Sequence, residues 1–350
     1  MHVVPTEFSP FRMSRSRVSI LALVALAILT VIALAVGRYP LSFGDLILII
    51  WAKLTGGVHH LPRESEAIVF ELRGTRVLAA MVIGAALSGA GAIYQNMFRN
   101  PLVSPDILGV SSGAALGAVL AIFFSLPILA IQGFAFAGGL LAVALVYFIG
   151  NAVRGHDPIL ALILTGVVVG TFLGSCIALM KYFADPYNQL PAMTFWLMGS
   201  LASNSSADLW AAVPMVLLGF TPVFLLRWRM NLLSLSDDEA RALGVDVTKL
   251  RLIIVTSATL MTAAVVAISG IIGWIGLLIP HAARMLVGPE FARLLPLSLI
   301  LGAGYLLAVD TLARTMAAIE IPPGVLTALI GTPLFLWLLA VTRARSKVSA

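Results

Sequence analysis

The run from Ile107 to Val153 contains no Asp, Glu, Lys or Arg over 47 residues. A soluble fold needs a polar face on any segment of that length, whereas a bilayer demands that there be none. A helix crossing the roughly 30 Å hydrocarbon layer takes about 20 apolar residues, so this run holds two crossings, with Pro127 and Gly133 near its middle where the chain can turn. Val18 to Gly37, Val77 to Phe98, Pro158 to Met180, Leu209 to Leu226, Leu294 to Val309 and Ile321 to Thr342 are also charge-free, and each fits one crossing. Leu252 to His281 is interrupted by Gly270, Gly273 and Gly276 and reads as one long helix or two short ones. Composition agrees: 11% of residues are charged, where a soluble domain carries about 25%.

The net charge of +6 would point a soluble chain toward nucleic acid. Here the basic residues lie between apolar runs and report topology instead, because Lys and Arg in short loops favour the cytoplasmic side. Ten spans with both termini inside put fifteen basic residues on the inner side. Seven are left outside: Arg38, Lys53, Arg63, Arg73, Arg76, Lys181 and Arg314. Nine spans would throw Arg343, Arg345 and Lys347 outside, so ten is preferred. The expected organisation is an all-α, polytopic membrane protein: a cytoplasmic tail over 1–17, one ten-helix domain over 18–342, and a second tail over 343–350. The first run is long for a signal-peptide core and is read as a span. Cys176 is alone, which leaves neither an internal disulfide nor a thiolate cluster for metal.

Pro186 to Ala207 is charge-free but contains Pro191 and ends in Ser-Asn-Ser-Ser. It predicts a short outer helix over Leu190 to Gly199 that lines a cavity and does not span. Two ladders of small residues, Gly109, Gly113, Gly117 and Gly166, Gly170, Gly174, predict close helix packing.

A proton- or sodium-coupled carrier usually needs a carboxylate inside the bilayer, and none of the 16 acids falls at mid-span. The deepest is Asp310, one turn before Arg314 and so placed for an i, i+4 ion pair. The sequence also holds no glycine-rich phosphate loop of the G-x-x-x-x-G-K-[ST] kind. Energy for transport therefore has to come from another chain. The longest polar stretch between spans is 231–249, where Ser236 followed by Glu239 forms a capping box. Asp237 and Asp238 favour the positive end of a helix, and Gly244 can end it. This predicts a short helix over Asp237 to Leu243 at the cytoplasmic face, either a solvated loop helix or a docking element.

Five motifs in order resemble the permease subunits of bacterial type II ABC importers for iron chelates, haem and cobalamin. They are RNPLVSPDILGVSSGAALGA from Arg99, LPAMTFWLMGSL from Leu190, DDEARALGVDV from Asp237, GIIGWIGLLIPHAARMLVG from Gly270 and IPPGVLTALIGTPLFLWLL from Ile321. The resemblance covers nearly the whole chain from about Ile20. It implies ten helices per subunit, a homodimer with the pathway at its axis, two cytoplasmic ATP-binding subunits that hold ATP and Mg, and a periplasmic substrate-binding protein. It divides Leu252 to His281 into two helices. It implies that Ser236, Asp237, Asp238, Glu239, Ala240, Arg241, Ala242, Leu243 and Gly244 couple to the ATPase, with no catalytic residue and no cofactor on this chain.

The resemblance further assigns Arg73, Arg76 and Arg314 to docking of the binding protein. Arginine suits that role because its planar fork meets carboxylates bidentately; interfacial snorkelling is the plainer alternative. The family spacing R-x-P-R is R-x-x-R here, with Gly74 and Thr75 between, which suggests a different local turn. Asn100, Pro101 and Leu102 match the cytoplasmic gate, while Ser104, Pro105 and Asp106 also read as cap, first-turn proline and dipole partner for the third span. The histidines, His2, His59, His60, His156 and His281, make no i, i+4 pair, so no metal site is expected, and His281 reads as a helix-terminal hydrogen bonder. The expected function is an inner-membrane permease for an iron chelate such as a siderophore or haem. Cobalamin or an oxyanion such as molybdate are alternative cargoes, and a secondary carrier or channel without an ATPase is the alternative of another class.

Overall fold

The structure, a computed structural model, describes residues 15–37, 39, 41–57, 61–153 and 158–348. The tail before residue 15, Arg38, His2, His59, His60, Arg154 and His156 lie outside the described residues. Every regular element described is helical. In chain order they are α1 (Arg15–Ala35), α2 (Phe43–Thr55), α3 (Arg63–Ala67), α4 (Thr75–Met97), α5 (Val110–Phe123), α6 (Ile128–Ala152), α7 (Pro158–Phe183) and α8 (Gln189–Met198). There follow α9 (Ser206–Leu225), α10 (Arg227–Met230), α11 (Asp237–Ala242), α12 (Val247–Ser269), α13 (Ile275–Val287), α14 (Phe291–Thr315) and α15 (Pro323–Val348).

Among the described residues, eight helices are long and apolar enough to cross a membrane: α1, α4 with its N-terminal extension, α6, α7, α9, α12, α14 and α15. The 47-residue run divides at Pro127, which precedes α6, and not at Gly133, which lies inside it. The 30-residue stretch from Leu252 divides at Gly270, where φ is +66. α5 and α13, of 14 and 13 residues, are about 20 Å long at 1.5 Å per residue. Each is lengthened by irregular backbone, a 3-10 turn over Pro105–Leu108 before α5 and the segment 270–274 before α13.

Burial orders the helices radially. In the most apolar window of α4 and of α12, 78% of residues are buried, against 11% for α1. α4 is thus a central post, packed by α12, α13 and α14, while the apolar residues of α1 face outward as lipid requires. Close approach to the post depends on glycine. A Cβ on Gly84 would strike the Gly302 carbonyl of α14, and one on Gly91 the Gly276 carbonyl of α13. Two members of the first predicted ladder behave the same way, Gly113 against Gly138 and Gly117 against Phe134 of α6, while Gly109 sits at φ +78 with its nearest neighbour 4.0 Å from a Cβ. The second does not: Gly166 meets the Ile107 carbonyl, but Gly170 has only Ser112 Oγ within reach and a Cβ on Gly174 would meet nothing. Spacing alone could not tell which glycines face a neighbour.

Buried hydroxyls in the core are satisfied locally. Thr259, Thr262, Ser269, Ser298 and Thr311 each donate to the carbonyl four residues earlier, which keeps a polar side chain inside an apolar bundle without an orphaned donor. Between the first two spans lie two further helices, α2 and α3. α2 opens on a capping box, Ser42 with Asp45, and closes on Gly56 at φ +68.

Candidate functional site

Three clusters hold the residues singled out by sequence. The first is α11. Ser236 Oγ accepts from the Glu239 amide and Glu239 Oε2 accepts from the Ser236 amide at 2.8 Å, so the predicted capping box is formed. The Ser236 amide and, after it, the Ser236 hydroxyl, which also donates to Oε2 at 2.8 Å, hold the Glu239 carboxyl below its usual range. The helix runs from Asp237 to Ala242, one residue shorter than expected, and Gly244 turns the chain at φ +80. Ala240 is buried against the bundle while Asp238, Arg241 and Leu243 project outward, with Asp238 and Arg241 paired at 3.5 Å. Asp237 instead points back to the bundle. Its carboxylate meets Arg99 Nη2 at 3.1 Å and Arg251 Nη2 at 3.2 Å.

The second cluster is the segment after α4. Arg99 takes a left-handed φ of 52 and its Nε donates to the Leu233 carbonyl at 2.8 Å. Asn100 Oδ1 accepts from the Leu102 amide at 2.9 Å, closing a tight turn around Pro101 that leaves Leu102 exposed. Asn96 donates to the Met230 carbonyl at 2.8 Å, so the turn is moored to α10. Pro105 opens the 3-10 turn as expected, but the Ser104 side chain makes no cap hydrogen bond to the backbone. Asp106 accepts from the Ser111 hydroxyl, across into the first turn of α5.

In the third cluster Arg73, Arg76 and Arg314 converge on one cavity of about 370 Å3. No separate turn precedes the second span: a π-helical stretch, Ile68–Gly74, joins α3 to α4 into one rod from Glu64 to Met97. Arg73 lies on this rod, 6% exposed, and donates to the carbonyls of Leu34 and Ala35 at 2.8 Å and of Tyr39 at 2.6 Å. Arg314 donates to the Ala33 carbonyl. Two arginines from other helices therefore cap the C-terminal carbonyls of α1, where the helix dipole favours positive charge. Arg76 forks onto Asp310 through Nε and Nη2, at 2.9–3.1 Å, and reaches Glu320 at 3.0 Å through Nη1. The anticipated Asp310–Arg314 pair is the longer contact, at 3.8 Å. Asp310 is fully buried, and its main partner is two hundred residues away, beyond the reach of any i, i+4 argument.

His281 differs from expectation. It lies within α13, 6% exposed, with its ring edge-on to Phe335 at 5.9 Å, and neither ring nitrogen has a hydrogen-bond partner among the described residues. The expected cavity beside α8 is present, with Phe195, Trp196, Ser269 and Pro322 among its walls. Sequence reasoning missed the inward role of Asp237 and the parts played by Arg99, Arg251 and Glu320. A lone basic residue at a span end, as at Arg99 and Arg251, was the one available signal.

The sequence profile of the FecCD transport family matches residues 25–341. The molybdate import system permease protein MolB of Haemophilus influenzae is 42% identical over 311 residues, covering 89% of this chain and 91% of that protein. A probable iron chelatin transport system permease protein of Helicobacter pylori is 41% identical over 325 residues, covering 91% and 97%. Among solved structures, an inward-facing conformation of a metal-chelate type ABC transporter superposes with a TM-score of 0.84 at 38% identity, covering 93% of this chain and 99% of the other. The chain, a multi-pass helical membrane protein, belongs to the FecCD transport family.

Proposed function

We propose that this chain is the membrane-spanning subunit of an ATP-driven importer, working as a homodimer with two ATP-binding subunits that carry ATP and Mg. In this reading it lies in the inner membrane with both termini inside, α5 and α13 complete ten crossings, and a periplasmic binding protein delivers the cargo. The observation that carries it is α11, a capped helix that offers Asp238, Arg241 and Leu243 outward while Asp237 and Ala240 anchor it to the bundle. A capped helix with an outward polar face supports contact with a partner, and the sequence holds no glycine-rich phosphate loop of its own. Asn100, Pro101 and Leu102 form the inner gate, a polar and apolar constriction completed by the dimer mate. Exposed apolar side chains on α7, including Leu164, Val168 and Phe172, support a surface available to that mate.

Docking of the binding protein is assigned to the outer cavity of Arg73, Arg76 and Arg314. Because these side chains are largely committed inside the chain, a docking carboxylate would compete with Glu320, the more exposed of the two acids on Arg76. The cargo is an iron chelate, siderophore or haem, with an oxyanion as the second reading on the strength of the molybdate relative. The decisive experiment reconstitutes the subunit with its ATPase in liposomes and measures ATP hydrolysis and uptake as candidate loaded binding proteins are added. Stimulation by a chelate-loaded protein supports the first reading and by a molybdate-loaded protein the second. Uptake that proceeds without any ATPase refutes both.

A further inference from the structure

Asp237 is the point at which the coupling helix, the gate segment and a core helix meet. Its carboxylate receives Arg99 from the residue just before the gate turn and Arg251 from the first turns of the buried α12. Arg251 is 8% exposed. Of the α11 acids, Asp238 is almost fully exposed and Glu239 accepts from Ser236 in the cap, while Asp237 is in direct ion-pair contact with the bundle. Arg99 is separated from Asn100 by a single peptide bond and holds a left-handed φ of 52, a conformation that residues other than glycine keep only when neighbours fix it. Its side-chain partners are the Leu233 carbonyl, on the α10–α11 connection, and Asp237, which opens α11.

We propose that Arg99 is a positioning residue, which through Asp237 passes displacement of the coupling helix directly to the gate turn Asn100–Leu102. This rests on the importer reading above. Ala240, the buried residue of α11, offers apolar packing, which tolerates sliding. Through the Arg99 link a shift of α11 carries the gate turn with it, while Arg251 carries the same shift into α12.

The test compares wild type, Arg99→Gln and Arg99→Lys in the reconstituted complex, reading cargo imported per ATP hydrolysed together with ATPase assembly. Arg99→Gln leaves the buried Arg251–Asp237 pair in place, so the chain still folds. It should keep ATP hydrolysis and lower the import ratio about fivefold or more, the lower end of ordinary coupling factors. Arg99→Lys, which keeps the charge, should retain most of the ratio. Asp237→Asn also unpairs Arg251 and should lose at least as much, and adding Arg99→Gln to it should lower the ratio little further, because the two share the Arg99–Asp237 link. The proposal is overturned if Arg99→Gln imports at the wild-type ratio, or if Arg99→Lys falls as far as Gln. A wild-type complex that imports nothing with any loaded binding protein would instead sink the importer reading.

Discussion

Replacing Arg76 by Gln should destabilise the isolated subunit far more than a surface arginine would. Asp310 is fully buried and takes three of the contacts Arg76 makes. Breaking a buried pair by removing one partner costs about 3–5 kcal/mol, because the remaining charge is stranded. Glu320 adds little, since an ion pair that is about one-third exposed is worth under about 1 kcal/mol. Arg314, at 3.8 Å from Asp310, can close part of the gap, which favours the lower end, near 3 kcal/mol. Removing the stranded charge as well, in Arg76→Gln with Asp310→Asn, should restore most of the loss and leave a deficit of about 1 kcal/mol, the worth of ordinary hydrogen bonds. The assay is unfolding in mixed micelles, followed by tryptophan fluorescence as denaturing detergent is titrated. A cost below about 1 kcal/mol for Arg76→Gln, the range of exposed pairs, would refute the buried-pair argument, as would a double variant no more stable than the single. Arg76 would then be free to serve docking alone, and the single variant would weaken only binding-protein affinity.

Three other outcomes follow from the geometry. Gly244→Ala finds open space but a φ of +80, so it should cost about 1–2 kcal/mol of local backbone strain and lower ATP-driven uptake while membrane insertion is unchanged. Gly91→Leu should cost several times more, beyond the usual about 1–3 kcal/mol of overpacking, because its side chain would meet the α13 backbone at Gly276; thermal aggregation of the purified chain reads this out. The Glu239 carboxyl is held low in the folded chain, so its cap is fully present above the unfolded carboxylate value and lost as pH falls through the lower folded one. Amide protection of α11, corrected for intrinsic exchange, should stay level from neutrality to about pH 5 and drop below about pH 4. In Ser236→Ala that drop should be absent.

The crossings were legible because apolar length is a one-dimensional property. Pro127 and Gly270 also announced where long runs break, although Pro127 and Gly133 competed for one break and only packing chose. The α11 helix was readable from Ser236, Glu239 and Gly244 since capping is local. The arginine cluster was legible only as a set of charges that break the expected topology. That Arg73 and Arg314 end on backbone carbonyls of α1, and that Arg76 takes Asp310 from Arg314, depends on which helices lie side by side. Gly174 makes the same point in reverse, having the spacing of a packing residue and no neighbour to pack on.

The arginine caps on α1 also bear on how the chain enters the bilayer. A guanidinium carried to the far side costs about 2.5–3.5 kcal/mol at mid-membrane by insertion measurements, and the freed carbonyls at a helix end have no partner in lipid. Arg73 meets the carbonyls of Leu34 and Ala35 from the adjoining span, so each liability cancels the other once both helices are in. The geometry pairs the first two spans as a hairpin suited to entering together, and Arg314 of α14 adds a third element to it at Ala33.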